Sequence, residues 1–145
     1  MNKKAEAFKK YLDEKEIPVF KVDEIADDEL HTVVFRSQLE VAGNNLPAVV
    51  ILDDSLYGML RVLIAPKAVS EENEKNLLTL LNGYNKRYKS FKHYLDEEGS
   101  VILDLCMILQ DENVDGDLIY SMFGSILTHL NEGYKEIMQT VWKAN

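Results

Sequence analysis

The residues most suggestive of chemistry lie in the segment DENVDGD, at positions 111–117. Oxygen-bearing side chains and a glycine fall where a calcium-binding loop would place them, at its positions 1, 3, 5 and 6: Asp111, Asn113, Asp115 and Gly116. An EF-hand loop also needs a bidentate acidic ligand at its position 12, and that position holds Met122. We therefore interpret the segment as an acidic turn in which Asp115 or Asp117 caps a following helix and no calcium binds tightly.

Three histidines and one cysteine are the other candidates for chemistry. His31, His93 and His129 are scattered and lack the close helical spacing of a zinc-binding pair. Cys106 lies within VILDLCMIL, which has no positive side chain to stabilise a thiolate, so we expect a buried, inert thiol. The sequence contains no GxGxxG, P-loop, GxSxG or HExxH motif. It therefore predicts no enzyme, no catalytic residue, no metal ligand and no cofactor.

The charge balance argues against two classes of partner. The 145 residues carry a net charge of −9, whereas affinity for nucleic acid or anionic lipid comes from clustered lysine and arginine. One basic segment, Asn85–Tyr94, alternates such residues with aromatics, a pattern that can bind single-stranded nucleic acid. Lysines also protect an exposed sheet edge from pairing with another chain, and the overall charge favours this second interpretation.

The hydropathy pattern predicts one domain, residues 1–145, in the cytoplasm. The first 16 residues lack the apolar region of a signal peptide, and no apolar run approaches the roughly 18 residues of a membrane span. The length is close to the commonest size of a single domain with one core. We expect no contact with a membrane.

Hydrophobic periodicity predicts three helices and five strands. The predicted helices cover residues 2–16, 70–85 and about 25 residues from 118, and the strands cover 32–41, 48–53, 59–65, 88–95 and 100–109. The first three strands are joined so tightly that they must be antiparallel. The order α-βββ-α-ββ-α predicts an α+β domain: a five-stranded antiparallel sheet with helices mostly on one face. The strand at 100–109 is apolar on nearly both faces, so we expect it to be central.

The last helix carries a candidate protein interface. Its apolar stripe continues almost to the chain end through four residues: Ile137, Met138, Val141 and Trp142. Exposed together, they would form a patch that binds another protein or a second copy in a homodimer. The alternative is that this end folds back onto the first helix, which also needs a partner. Gly124 and Gly133 interrupt the helix and indicate close contacts or a bend.

A resemblance to a known family covers the middle of the chain. Residues 77–110, LLTLLNGYNKRYKSFKHYLDEEGSVILDLCMILQ, resemble the YbjN-type family, described as bacterial sensory transduction regulators. The matching features are a helix ending in LNGYN, a strand, a DEEG turn and a long apolar strand, with the motif residues Leu81, Asn82, Asn85 and Gly99. The resemblance implies the fold of type III secretion chaperones and a non-enzymatic bacterial module, regulatory or chaperone-like, that binds another protein. It brings no established catalytic residue.

Two alternatives stay open at this point. Asn82 and Asn85 fit a structural role at a helix C-terminus, where asparagine bonds well to nearby backbone, but they could also form a polar pair that recognises a partner. The interaction module itself has an alternative, which is a small-ligand or metal-binding protein built around the acidic loops.

Overall fold

The structure, a computed structural model, describes residues 1–110 and 114–143. Three helices and six strands follow one another along the chain: α1 (Lys3–Glu14), β1 (Lys21–Glu24), β2 (Val33–Val41), β3 (Asn44–Leu52), β4 (Tyr57–Ala65), α2 (Glu74–Arg87), β5 (Phe91–Leu95), β6 (Val101–Ile108) and α3 (Gly116–Trp142). The α+β class and the three helices are confirmed. In the ranges just given, no helix combines the length and the apolar character needed to cross a bilayer.

The strands form one antiparallel sheet in the order β1-β2-β3-β4-β6-β5. The prediction of five strands is wrong, because β1 pairs with β2 and places Lys21 opposite Arg36. The four residues of β1, KVDE, show no apolar alternation by which a sequence pattern could reveal a strand. β6, expected at the centre of the sheet, lies beside the edge strand β5 but is paired on both sides.

The helices pack on one face of the sheet. The strand residues of the hydrophobic core all point to that face, among them Phe35, Val50 and Leu103. Phe8 of α1 meets Phe35 edge-on with ring centroids 4.9 Å apart, and Ile126 of α3 is fully buried. We call the opposite side of the sheet the outer face; within the described ranges its side chains do not join the core.

The starts of α3 and α2 differ in how well the sequence predicts them. Asp115 accepts a hydrogen bond from the backbone N–H of Leu118 at 3.1 Å, so it caps α3 as expected. The second helix, predicted to begin at residue 70, begins later. The backbone N–H of Ser70 donates to Oδ1 of Asn73 at 2.7 Å, and its Oγ accepts from the N–H of Asn73 at 3.2 Å. This exchange forms a separate turn, and α2 begins only at Glu74.

Candidate functional site

An open groove of about 710 Å³ lies at the C-terminal end of α3. One wall is α3 itself, and the others are the start of β3, the end of β4 and the loop at 66–72. Much of the lining is apolar: Leu46, Pro47, Leu63, Ala65, Tyr134, Met138 and Val141. Trp142 borders the groove with 79% of its surface exposed. A tryptophan so exposed beside apolar walls is typical of a binding surface.

The four predicted interface residues lie in different environments. Ile137 is fully buried and packs in the hydrophobic core, so the prediction that it belongs to an interface is wrong. It faces inward because it continues the buried stripe of α3 towards the sheet. Met138 and Val141 are half-buried, and Trp142 is largely exposed. α1 packs near the start of α3, where Tyr11 donates a hydrogen bond to Asp117, and not over Trp142.

The motif glycine holds a loop that forms one wall of the groove. Gly99 has φ +76°, a left-handed conformation that favours glycine. Its carbonyl accepts hydrogen bonds from the N–H groups of Ala68 at 2.9 Å and Val69 at 3.0 Å. The neighbouring Ser100 Oγ accepts another from the N–H of Lys67 at 2.9 Å. The DEEG turn thereby positions residues 67–69 in the groove wall.

Asn85, a second motif residue, closes the edge of the sheet at β5. Its side-chain amide donates to the carbonyl of His93 at 2.9 Å, and its Oδ1 accepts from the N–H of His93 at 2.7 Å. These bonds reproduce the exchange that a further antiparallel strand would make with His93. α2 runs on to Arg87, so Asn85 lies inside the last turn and not at the C-cap. Of the remaining motif residues, Leu81 is buried in the core and Asn82 is exposed.

His93 and His129 form a buried pair between β5 and α3, with their Nε2 atoms 2.8 Å apart. Nδ1 of His93 lies 3.2 Å from Oδ1 of Asn85, an oxygen that can only accept, so this Nδ1 carries a proton. Nε2 of His93 must then accept a hydrogen bond from Nε2 of His129, which leaves Nδ1 of His129 unprotonated. In the described part of the chain, that buried Nδ1 has no hydrogen-bond partner.

Burial keeps both histidines neutral. The rings of Tyr84, Tyr88 and Phe91 pack against His129 with centroid distances of 4.4 to 5.3 Å. Burial, assisted by the nearby His129, lowers the pKa of His93 to about 4, and burial also lowers the pKa of His129. The cluster is therefore an uncharged packing unit that ties α2, β5 and α3 together.

Sequence patterns do not reveal the histidine pair, because 36 residues separate its members. The available signals were only that His93 falls on the inward side of a strand and His129 on a mostly apolar helix. Among residues 1–110 and 114–143, no group of three or more His, Cys, Asp and Glu side chains is arranged to hold a metal. The calcium-like residues Asp111 and Asn113 lie outside these ranges.

The outer face carries a buried carboxylate and the cysteine. Asp104 accepts two hydrogen bonds from Arg61, at 2.8 and 3.0 Å, and one from the hydroxyl of Tyr94 at 2.9 Å. Burial and this bond to Asp104 raise the pKa of Tyr94 to about 12, so the phenol remains a donor at neutral pH. Cys106 is exposed, and the prediction that it is buried is wrong. Alternation along β6 turns Cys106 to the face opposite the helices.

Comparisons with known proteins agree with this architecture. A chain of the ExsC–ExsE complex matches with a TM-score of 0.56 at 13% sequence identity, over 93% of this chain and 96% of that chain. At this identity the likeness shows the fold alone, and the chaperone-like fold implied by the sequence resemblance is confirmed. Comparison with curated proteins gives no match.

The fold defines the class, a chaperone-like α+β domain with one open sheet face. The chain belongs to the YbjN family, described as "Putative bacterial sensory transduction regulator", whose family model matches residues 4–138. The resemblance first visible at residues 77–110 thus extends over nearly the whole chain.

Proposed function

We propose that this protein is a non-enzymatic regulatory or chaperone-like module that binds another protein in the groove beside Trp142. The observation that carries the proposal is Trp142 itself, a large aromatic side chain left exposed beside an apolar groove. Tryptophan is enriched among the few residues that supply most of the binding free energy of an interface. The family description and the likeness to a chain of a two-protein complex support the same function.

The groove is held in shape before any partner arrives. Asn73 is buried, and its Nδ2 donates to the carbonyl of Ala68 at 2.8 Å and to the carbonyl of Val141 at 2.9 Å. These bonds connect the loop wall to the wall formed by α3. A preformed groove loses less conformational entropy on binding than one that must first be ordered.

Site-specific photo-crosslinking in the native cell tests the proposal. A photoreactive residue in place of Trp142 is compared with one in place of Leu118, an exposed apolar residue at the other end of α3. We expect one defined protein to be captured from position 142 and not from position 118. Capture of this chain alone would assign the groove to a homodimer, and equal capture from both positions would contradict a specific site.

The captured protein then provides a quantitative test. Combining Trp142→Ala with Met138→Ala should weaken its binding roughly tenfold or more, because the contact loses its aromatic and thioether surface. Leu118→Ala should leave the dissociation constant nearly unchanged. Trp142→Ala alone and Leu118→Ala should each keep the melting temperature of the parent within a few degrees, since both side chains are exposed. The double variant should melt somewhat lower, because Met138 also packs against the core. A large fall in melting temperature without weaker binding would return Trp142 to a packing role.

A further inference from the structure

The outer face of the sheet carries two apolar rows, whereas an uncovered sheet face is ordinarily polar. Pairing between strands aligns its side chains in rows that run across the sheet. The first apolar row contains Val34, Ile51, Met59 and Cys106, and the second contains Pro47, Leu63, Ile102 and Tyr94. Val34 and Ile102 are themselves buried, at 8% and 6% exposed, and the other six residues are half-buried or exposed. They form a separate apolar surface on the side away from the helices.

A cationic row lies between the two apolar rows. From β1 to β5 it consists of Lys21, Arg36, Val49, Arg61, Asp104 and Lys92. Its one carboxylate, Asp104, is 3% exposed and bonded to Arg61, so it offers little negative charge to a partner. Asp23, beside the row, pairs with Arg36 at 2.7 Å, and the lysines at the two ends are exposed. A chain with a net charge of −9 therefore places four cations along one row of this face, of which Arg36 and Arg61 are each paired with a carboxylate and the two lysines are not part of these pairs.

We propose that the outer face binds an extended, acidic segment of another protein in which a carboxylate lies between two apolar side chains at alternate positions. Alternate side chains of an extended chain are about 6.6 to 6.8 Å apart. Neighbouring rows of the outer face have the same separation, because they are two residues apart along each strand. A segment that lies along the strands therefore sets its carboxylate over the cationic row and its apolar side chains over the two apolar rows.

The charge of the cationic row favours an acidic segment over a second copy of the chain. Two copies related by a two-fold axis through the cationic row would set that row against itself, so cations would face cations, and such juxtaposition opposes binding. A nucleic acid or an anionic membrane would satisfy the cationic row, but the flanking apolar rows and the acidic remainder of the chain disfavour a polyanion. An acidic protein segment with flanking apolar side chains matches the cationic row and both apolar rows.

The outer face adjoins the groove, since Pro47 and Leu63 line both surfaces. The inference rests on the proposed function in that both require a protein partner. The outer face nevertheless uses its own residues, so it can be tested without Trp142. Failure at one surface is therefore distinguishable from failure at the other.

The test uses a synthetic β-hairpin peptide whose strands present Leu, Glu and Leu on one face, and a second peptide with Lys in place of Glu. Each peptide is titrated into the protein and followed by fluorescence anisotropy. Arg36→Glu combined with Lys92→Glu reverses two charges of the cationic row. Lys10→Glu combined with Lys75→Glu makes the same change in net charge on exposed positions of α1 and α2 and serves as the matched control.

We expect the glutamate peptide to bind the parent and to bind less tightly as salt concentration rises. Reversal on the outer face should weaken binding roughly tenfold or more, and the control reversal should change it less than twofold. Trp142→Ala should have no effect on this peptide. Met59→Gln keeps the size of the side chain in the first apolar row but removes its apolar character, so it should also weaken binding. This variant tests the inference independently if the charge-reversed variant does not fold.

Several outcomes would overturn the inference. They are absence of binding to the glutamate peptide, equal binding of the lysine peptide, and equal loss in the control variant. Tighter binding to phosphatidylglycerol vesicles or to single-stranded DNA than to the peptide would assign the face to a polyanion instead. Sedimentation that shows a dimer of the parent, lost on charge reversal of the outer face, would assign it to a second copy.

Discussion

At the scale of single residues, the buried histidine pair should make stability depend on pH. An unfolded histidine titrates near pH 6.5, whereas the pKa of folded His93 is about 4. Between these values the unfolded chain binds more protons than the folded chain, so the free energy of unfolding falls as the pH falls from about 6.5 towards 4. The contribution is fully present above pH 6.5, and its size for His93 is up to about 3 kcal/mol. Urea denaturation at a series of pH values measures this dependence.

Variants distinguish the contribution of the two histidines to the pH dependence of stability from that of other titrating groups. Replacing both members, His93→Leu with His129→Leu, should flatten the dependence between about pH 7 and 5, a range in which ordinary carboxylates remain ionised. His31→Asn is the control, because His31 is exposed and has φ +51°, a conformation that asparagine tolerates. A slope that survives in the double variant but disappears in His31→Asn would contradict the assignment to the buried pair.

The edge-closing role of Asn85 yields a second residue-scale prediction. Asn85→Leu removes the two hydrogen bonds to the backbone of His93 and the one from its Nδ1. It should lower the free energy of unfolding by about 1 to 3 kcal/mol, because the N–H and C=O of a buried residue lose their partners. Exchange of the His93 amide hydrogen should become faster in the native protein. Asn82→Ala, on an exposed position of the same helix, should change stability by less than about 0.5 kcal/mol. Equal effects of the two substitutions would mean that the bonds to His93 are not the cause.

At the scale of elements, two glycines inside α3 should respond differently to replacement by alanine. Among residues 1–110 and 114–143, a Cβ at Gly124 would meet nothing within 4 Å. One at Gly133 would lie 3.3 Å from the hydroxyl of Tyr84, which is held by a 2.6 Å hydrogen bond to Glu136. Gly124→Ala should therefore stabilise the protein by about 0.5 to 1 kcal/mol. Gly133→Ala should gain less or destabilise, as urea denaturation would show. Equal stabilisation by both would mean that Tyr84 moves aside freely.

The elements also show which parts of the fold can be predicted from sequence patterns. α1, α2 and α3 were predictable because each has a long apolar stripe, and β2 because its apolar residues alternate. β1 was not, because its four residues include three charged side chains. Ser70 has the residue type of a helix cap, but Asn73 engages its backbone and hydroxyl, which moves the start of α2 to Glu74. Such side-chain exchanges depend on tertiary packing and leave no periodic signal.

At the scale of the whole molecule, sequence patterns predict one candidate surface and not the other. The exposed Trp142 was one of two outcomes that the sequence allowed, because the apolar stripe of α3 continues to residue 142 and had either to form a surface patch or to fold back onto α1. The rows of the outer face could not be predicted, because they require the register of β4 with β6, and α2 and β5 intervene between those strands in the chain. Cys106, apolar in its local sequence context, changes from a core residue to a surface residue once that register is known.

Cys106 can report whether the outer face is open in solution. The helices lie on the other side of the sheet and Cys106 is exposed, so a thiol reagent should modify it in the native protein at a rate comparable to that of the unfolded chain. That rate should not change when the protein is diluted, because the cationic row disfavours a second copy on this face. The leucine–glutamate hairpin should slow the reaction, whereas Trp142→Ala should leave it unaltered. Slow labelling that accelerates on dilution would show that copies of the chain cover the outer face, and slow labelling at every concentration would place the thiol in the core.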